Sequence, residues 1–292
     1  MSAYHTPVLL HESIAALLIR ENGVYVDATF GGGGHSREIL RHLGPEGRLI
    51  VFDKDEEALA NVPEDGRLIV VHHDFRFVHH YVRYYGHDAV DGILADLGVS
   101  SHQFDTAERG FSFRFDAPLD MRMNTQGGKT AADVVNTYTQ EELETLFRTY
   151  GEVDGARALA KSIVAAREKA PVLTTADLGS AIADALPSFQ VHKQLPKIYQ
   201  ALRIEVNAEM RSLEKFLQGA AKALKPGGRL VVITYHSLED RMVKQFIRER
   251  ENGLEAVNRK PILPGEEEII ANPRARSAKL RIAQKSEKLW EN

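Results

Sequence analysis

The fold of this chain is decided by the stretch Tyr25-Val26-Asp27-Ala28-Thr29-Phe30-Gly31-Gly32-Gly33-Gly34-His35-Ser36. A short apolar strand at residues 24–26 runs into four consecutive glycines, and the apolar spacing that follows predicts a helix over residues 36–43. A strand, a glycine loop and a helix form the first unit of an open α/β sheet, in which a nucleotide-like ligand lies against the helix N-terminus. Glycine permits positive φ angles and lets such a ligand come close to main-chain N–H groups.

The glycine spacing and two acids narrow the choice of ligand. Gly31 and Gly33 fill the first two places of the dinucleotide fingerprint G-x-G-x-x-G, but Ser36 stands in the third. Asp27, four residues before the first glycine, resembles the first motif of class I S-adenosylmethionine (AdoMet) methyltransferases. The second strand, residues 48–53, ends in an acid, Asp53, that is placed to hold the hydroxyls of an adenosine ribose.

Other interpretations of this loop stay open at this point. An acid at the end of the second strand suits NAD as well as AdoMet, so an NAD-dependent oxidoreductase is an alternative. The missing third glycine and the early acid argue against it. A glycine turn beside a surface acid, with no ligand, is a further alternative for the loop alone.

Composition excludes several classes of protein. A length of 292 residues predicts about two domains. A net charge of −4 argues against a protein that coats nucleic acid through charge alone. The chain has no cysteine, which excludes disulfides, zinc-thiolate sites, iron–sulfur clusters and a cysteine nucleophile. No apolar stretch approaches the roughly 18 residues of a membrane span, so we expect a cytoplasmic protein with no membrane partner.

Strands and helices alternate in both terminal parts of the chain. Further strands are predicted at residues 67–71, 91–96, 229–234 and 279–283, the last at an edge of the sheet. One long helical pattern runs from Pro196 to Leu224 and stops at Lys225-Pro226-Gly227-Gly228, which is typical of a helix end.

The alternation stops for about a hundred residues after Gln103. Thr139-x-x-Glu142 and Thr174-x-x-Asp177 are typical of capping boxes, each ahead of an apolar periodic run. We therefore predict an α/β fold with a Rossmann-like doubly wound sheet. Its two parts are residues 1–105 and 196–292, and residues 106–195 form an inserted helical domain.

Eight stretches along the whole chain share one resemblance. They are residues 5–10, 27–36, 96–101, 109–113, 118–123, 200–204, 236–241 and 272–277. In these stretches the chain resembles the bacterial 16S rRNA (cytosine-N4)-methyltransferases, the RsmH or MraW family. The resemblance implies a class I AdoMet-dependent methyltransferase that methylates N4 of a cytosine in the decoding region of 16S ribosomal RNA. It also points to a protein-loaded small ribosomal subunit as the substrate, and it leaves open whether the protein is a homodimer.

The resemblance also implies which residues hold the cofactor. Carried over position by position, they are Gly33, Gly34, His35, Asp53, Phe75, Asp96 and Gln103. The glycine-loop motif itself adds Asp27 and Gly31 to this set. No metal site is predicted, because the pairs His72-His73 and His79-His80 lack a carboxylate–histidine pattern on one helix face.

Two residues are candidates for catalysis. Asp96, at the end of the fourth strand, is either a cofactor ligand or the acceptor of a hydrogen bond from the reacting amine. His236, at the end of the fifth strand, could face the base or could make an orienting hydrogen bond in its loop. No aromatic residue follows Asp96 at the position where a ring for base stacking is expected. We therefore expect this ring to come from Phe111, Phe113 or Tyr235.

Basic residues are candidates for RNA phosphate contacts. A run without acids near the C-terminus contributes Arg274, Arg276, Lys279, Arg281 and Lys285. A solvated edge strand with charges that discourage aggregation is the alternative for this run. Arg109, Arg114 and Arg122 are expected to extend the basic patch. A non-catalytic RNA-binding module remains the third functional hypothesis.

Overall fold

The computed structural model describes residues 7–183, 185–186 and 188–287. Residues 5 and 6 of the first family-like stretch therefore lie outside the described residues. The chain divides into two compact units. The sheet unit runs up to Gly98 and resumes at Met210, and the helical unit is Val99–Glu209.

A seven-stranded sheet forms the centre of the sheet unit. Its strands are β1 Val24–Asp27, β2 Arg48–Asp53, β3 Leu68–His72, β4 Val90–Asp96, β5 Leu224–Thr234, β6 Leu254–Ala256 and β7 Lys279–Lys285. They lie in the order β3-β2-β1-β4-β5-β7-β6. Strands β1 to β5 are parallel, whereas β7 is antiparallel to both of its neighbours. The order reverses between β1 and β4, and such a switch point opens a crevice at the carboxyl ends of the strands.

The helices of both units follow in chain order. They are α1 Leu10–Leu17, α2 Gly34–His42, α3 Glu56–Leu59, α4 Val78–Tyr84, α5 Ser101–Asp105, α6 Ala131–Thr137, α7 Gln140–Tyr150, α8 Ala156–Arg167, α9 Thr175–Ala183, α10 Ser188–Val206, α11 Glu209–Ala223, α12 Ser237–Arg248 and α13 Glu266–Ala271. None of the described helices is long and apolar enough to cross a membrane.

Both faces of the sheet are buried. Along β2, Leu49 and Val51 belong to one apolar cluster, and Ile50 and Phe52 belong to another. Successive side chains of a strand point to opposite faces, so a fully buried strand is apolar throughout. Helices therefore cover the sheet on both sides, as the predicted doubly wound class requires.

The helical unit has a separate apolar core from α6 to α10. The helical unit, Val99–Glu209, is longer at both ends than the predicted insert at residues 106–195. The predicted boundary at 195/196 falls inside α10, which passes through Pro196 and ends only at Val206. The predicted capping boxes are present at Thr139 and Thr174.

The prediction of one long helix from Pro196 to Leu224 is wrong, because this segment forms parts of two helices, α10 and α11. Between them, Ala208 adopts a left-handed conformation with φ of 49°. The Asn207 side chain accepts a hydrogen bond from Met123 N at 2.8 Å and donates to the carbonyl of Met121 at 2.8 Å. These contacts fix the chain in a turn, and α11 begins at Glu209 as a separate helix.

Two predictions about the last strands also need correction. Strand β5 begins at Leu224, which pairs with Val90, and passes through an irregular segment before regular pairing resumes at Arg229. The strand at residues 279–285 is not an edge strand, because β6 pairs with its outer side. The solvated-edge interpretation of its charges therefore does not apply.

Candidate functional site

The carboxylate of Asp27 lies buried where β1 ends. Ser36 Oγ donates a hydrogen bond to its Oδ2 at 2.6 Å, and the backbone N–H of Thr29 donates to its Oδ1 at 3.1 Å. Burial nevertheless raises the pKa of Asp27 to about 7, because an ionised carboxylate loses its hydration in this position. A cationic partner would therefore favour the ionised form of Asp27.

The glycine loop is held by the acid at the end of β2. Gly31, at φ of 51°, donates its backbone N–H to Asp53 Oδ2 at 2.8 Å. The other oxygen, Oδ1, accepts from the backbone N–H of Asp55 at 2.9 Å. Gly33 has φ of 72° at the N-terminus of α2, and a Cβ on Gly34 would lie only 2.1 Å from Pro7. Each of these positions therefore requires glycine.

Asp96 ends β4, the strand that neighbours β1 across the switch point. Its backbone N–H donates to Thr29 Oγ1 at 2.7 Å, and the Tyr235 hydroxyl donates to its Oδ1 at 2.7 Å. Burial raises the pKa of Asp96 to about 7, although the hydrogen bond from Tyr235 opposes this effect. The negative charge of Asp27 contributes to the rise. Two carboxyl groups that titrate near neutral pH thus lie at adjacent strand ends.

His35 lies buried beside these carboxyl groups. Burial lowers its pKa to about 4, so the ring is neutral at physiological pH. Nε2 donates to the carbonyl of Val8 at 3.1 Å, which leaves Nδ1 without a proton. Nδ1 lies 3.8 Å from Asp96 Oδ2. Because the ring is neutral, this contact is not an ion pair.

The structure uses His236 to cap a helix. It is the N-cap of α12, where Nδ1 accepts from the backbone N–H of Glu239 and the Glu239 carboxylate accepts from the backbone N–H of His236. Nε2 lies 3.1 Å from Glu239 Oε1 but makes no hydrogen bond. This geometry favours the orienting hydrogen bond over direct contact with a base.

Phe75 and Gln103 are the two remaining predicted cofactor residues. Phe75 follows β3 and packs edge-on against Phe216, with ring centroids 5.0 Å apart. Gln103 belongs to the helical unit, where it forms a capping box with Ser100 and is buried. The structure thus gathers the residues at the ends of β1, β2 and β4 within one unit, together with the start of α2.

Sequence reasoning missed the roles of two residues that complete the site. Ser36 supplies the hydrogen bond to Asp27, and a hydroxyl in place of the third fingerprint glycine was a signal for it. Tyr235 was considered as a ring for base stacking, but its hydroxyl is bound to Asp96. Gly98, with φ of 106°, brings the loop after β4 close to Tyr235, because a Cβ there would lie 3.2 Å from the tyrosine ring.

Most of the predicted basic run near the C-terminus is engaged within the protein. Arg281 donates from Nε to Asp240 Oδ1 at 2.6 Å and is buried. Lys279 lies 3.6 Å from the same carboxylate, and Lys285 donates to the carbonyl of Asn252 at 3.0 Å. Arg276 is exposed. Arg281, Lys279 and Lys285 therefore serve mainly to hold β7 and its neighbours, and phosphate contact by the rest of the run stays a prediction.

The arginines of the helical unit divide in the same way. Arg109 is buried and donates to the carbonyls of Arg122 and Met123 at 3.0 and 3.1 Å. Arg122 makes paired hydrogen bonds with Asp120 at 2.9 and 2.7 Å. Only Arg114 of the predicted three is exposed. Arg109 and Arg122 therefore brace the loop, and their prediction as RNA contacts is not supported by their geometry.

Comparison with known proteins identifies the family to which this chain belongs. The sequence model of the MraW methylase family matches residues 2–286. The chain belongs to this family. Membership confirms the predicted family, the predicted class I methyltransferase fold, the enzymatic activity and AdoMet as cofactor. The NAD-dependent oxidoreductase and the non-catalytic module are thereby set aside.

Curated relatives match the chain over nearly its full length. Ribosomal RNA small subunit methyltransferase H of Parabacteroides distasonis is 52% identical over 299 residues, which cover 97% of this chain and 98% of the relative. The enzyme of the same name from Bacteroides fragilis is 53% identical over 298 residues, with 97% and 98% covered. Among solved structures, NSun6 from Pyrococcus horikoshii has a TM-score of 0.47 at 17% identity, covering 98% of this chain and 55% of that one. That distant likeness bears on neither substrate nor site.

Proposed function

We propose that this methyltransferase transfers a methyl group from AdoMet to N4 of a cytosine in the decoding region of 16S ribosomal RNA. The observation that carries the proposal is a pair of carboxyl groups, the buried Asp27 and the partly buried Asp96, beside the glycine loop at the switch point. The full-length relatives named as small-subunit ribosomal RNA methyltransferases support the choice of substrate.

The residues of this site fit AdoMet. When bound, AdoMet supplies an electrophilic methyl group on a sulfonium centre. Asp27 would face the cationic methionine end, which is consistent with a buried carboxylate that has no cationic partner among the residues that the structure describes. Asp53, fixed by two backbone N–H groups, would hold the ribose hydroxyls. The open glycine loop would allow close approach along the N-terminus of α2.

The reacting amine needs help from the protein, because its lone pair is delocalised into the cytosine ring. Asp96 would accept a hydrogen bond from N4–H and take the proton that the amine loses on methylation. A pKa near 7 suits this task, since near neutral pH a substantial fraction of the carboxyl group is ionised and that carboxylate is still basic enough to bind a proton. Tyr235 would hold the carboxylate in position through its 2.7 Å hydrogen bond.

The target base also needs a ring to stack on. Phe113 is 44% exposed in the helical unit, whereas Phe111 is buried. We therefore assign base stacking to Phe113 and phosphate contact to Arg114, which is also exposed. We further propose that the substrate is an assembled small subunit in the cytoplasm, because a chain with net charge −4 is a poor match for naked RNA.

Mapping the methylated nucleotide tests this function. Small subunits from cells that lack the protein are treated with enzyme and AdoMet, and the modified position is located in the ribosomal RNA. Asp96→Asn, which keeps the shape of the side chain, is the matched inactive control. We expect one new methylated cytosine in the decoding region with the wild-type enzyme and none with the variant. Methylation outside the small-subunit RNA would refute the proposal.

A further inference from the structure

Helix α4 carries an exposed aromatic surface outside the site described above. Val78 and Val82 are buried on one side of the helix. The other side exposes 71% of Tyr84 and 37% of Tyr85, and Phe77 just before the helix is 42% exposed. Large exposed apolar side chains that cluster on one surface commonly mark an interaction site.

The exposed rings are ordered against one another. The rings of His80 and Tyr84 are nearly parallel, with an interplanar angle of 21° and centroids 6.5 Å apart. Tyr81 and Tyr85 form a second such pair at 26° and 6.4 Å. Tyr81 also packs edge-on against the core residue Phe52, at 5.8 Å. We call the surface formed by Phe77, His80, Tyr81, Tyr84 and Tyr85 the α4 aromatic face.

Two cations border this face, the exposed Arg83 and the partly buried Arg76, whereas burial and then the nearby charges of Lys222 and Arg83 lower the pKa of His79. Residues 75–87 contain Arg76, Arg83 and three histidines, and no aspartate or glutamate, in a chain with net charge −4. Two acids flank this range: Asp74, which is paired with Arg76 at 2.7 Å and accepts a further hydrogen bond from Ser212, and the exposed Asp88. Aromatic rings interleaved with cations are the combination that binds single-stranded nucleic acid, through base stacking and phosphate contact.

We infer that the α4 aromatic face binds a single-stranded segment of RNA by stacking bases on Tyr84 and its neighbours, while Arg83 contacts phosphate. The inference rests on the proposed function, because it assigns a second contact to the same RNA substrate. A second copy of the chain is a poorer occupant. In a twofold interface the same patch meets itself, so the arginines of the two copies would be brought together.

Binding of a short fluorescein-labelled single-stranded RNA of mixed sequence to the full-length protein tests the inference. We expect Tyr84→Ala to weaken binding about fivefold or more, and Tyr84→Phe to retain it, because stacking needs the ring and not the hydroxyl. The same RNA annealed to its complement should not distinguish the variants. Ile270→Ala, which alters a side chain that is 81% exposed on α13, is the matched control.

Salt dependence gives an independent measure of the phosphate contact. Arg83→Gln should reduce the slope of log affinity against log salt concentration by about 0.7, the value for one phosphate contact on a single strand. Arg41→Gln is the control, because Arg41 is exposed on α2 and paired with Glu38. An unchanged slope for Arg83→Gln would count against the contact.

Two further outcomes would overturn the inference. One is equal affinity of wild type and Tyr84→Ala for the single strand, or no measurable binding by either. The other is a dimer in sedimentation that Tyr84→Ala converts to a monomer, which would make the face a subunit interface. Failure of the proposed function has a different signature, namely no methyl transfer from AdoMet to small subunits by the wild-type enzyme. If transfer occurs, Tyr84→Ala should raise KM for subunits and leave kcat unchanged.

Discussion

At the scale of single residues, the site depends on two carboxyl groups whose ionisation costs free energy as long as no ligand is bound. Asp27 is buried and Asp96 is partly buried at adjacent strand ends, and loss of hydration raises the pKa of each to about 7. A folded-state pKa above that of the unfolded chain means that the folded protein binds the proton more tightly. Stability from this source is therefore present at low pH and is lost as pH rises toward 7.

The first prediction concerns Asp27→Asn in the ligand-free protein. The variant has no carboxylate to desolvate, so at pH 8 it should be more stable than wild type by about 1–3 kcal/mol, with a smaller advantage at pH 5. It should also bind AdoMet more weakly, because the cationic end loses its partner. Urea denaturation at the two pH values and calorimetry measure these effects. A variant less stable than wild type at pH 8 would contradict the account.

The second prediction concerns Tyr235→Phe. The Tyr235 hydroxyl lowers the pKa of Asp96 through its hydrogen bond, so its removal should raise that pKa. Because the ionised form accepts the proton, the methylation rate of wild type should rise with pH through about 7 and then level off. In Tyr235→Phe the same rise should occur at higher pH. A rate profile that keeps its midpoint would show that Tyr235 has only a packing role.

At the scale of helices, strands and loops, contacts between residues far apart in sequence determine conformations that local sequence patterns do not predict. Arg109 is the clearest case, because its guanidinium reaches the carbonyls of residues 122 and 123 and holds the loop that precedes α6. A buried charged donor that satisfies two carbonyls is costly to remove, since the carbonyls are then left unpaired.

The third prediction compares two arginines of this loop. Arg109→Ala should lower the free energy of unfolding by about 1.5–3 kcal/mol, whereas Arg114→Ala should leave it nearly unchanged, because Arg114 is exposed. Arg114→Ala should instead reduce methylation of small subunits. Chemical denaturation and initial rates separate the two effects. Equal destabilisation by both substitutions would contradict the assignment.

The same scale shows what could be predicted from the sequence. The ends of β1, β2 and β4 and the acids there follow from local apolar runs, and the capping boxes follow from spacing alone. The break between α10 and α11 does not, since Asn207 is held by Met121 and Met123, more than eighty residues earlier. The interior position of β7 depends on β6, which has three residues and no readable alternation.

At the scale of the whole molecule, net charge and the division into two units bear on the substrate. The chain is acidic overall, and many of its cations are occupied by internal ion pairs. We therefore expect phosphate neutralisation alone to supply little affinity, and under the proposed function we expect recognition to depend largely on the shape of a folded target.

The fourth prediction follows from this charge balance. The enzyme should methylate assembled small subunits much faster than deproteinised 16S ribosomal RNA at the same concentration. Initial rates with both substrates, measured at physiological salt, provide the comparison. Equal rates would show that protein-loaded shape is not required.

The central claim is direct transfer to N4 of cytosine, and the chemical identity of the product tests it most directly. Methylation at C5 normally needs a cysteine thiolate to attack the ring, and this chain has no cysteine. The treated ribosomal RNA is digested to nucleosides and analysed by chromatography and mass spectrometry against N4-methyl, C5-methyl and 2′-O-methyl cytidine standards. The account predicts co-elution with N4-methylcytidine. Co-elution with the C5-methyl standard, or a covalent adduct with RNA that contains 5-fluorocytosine, would contradict it.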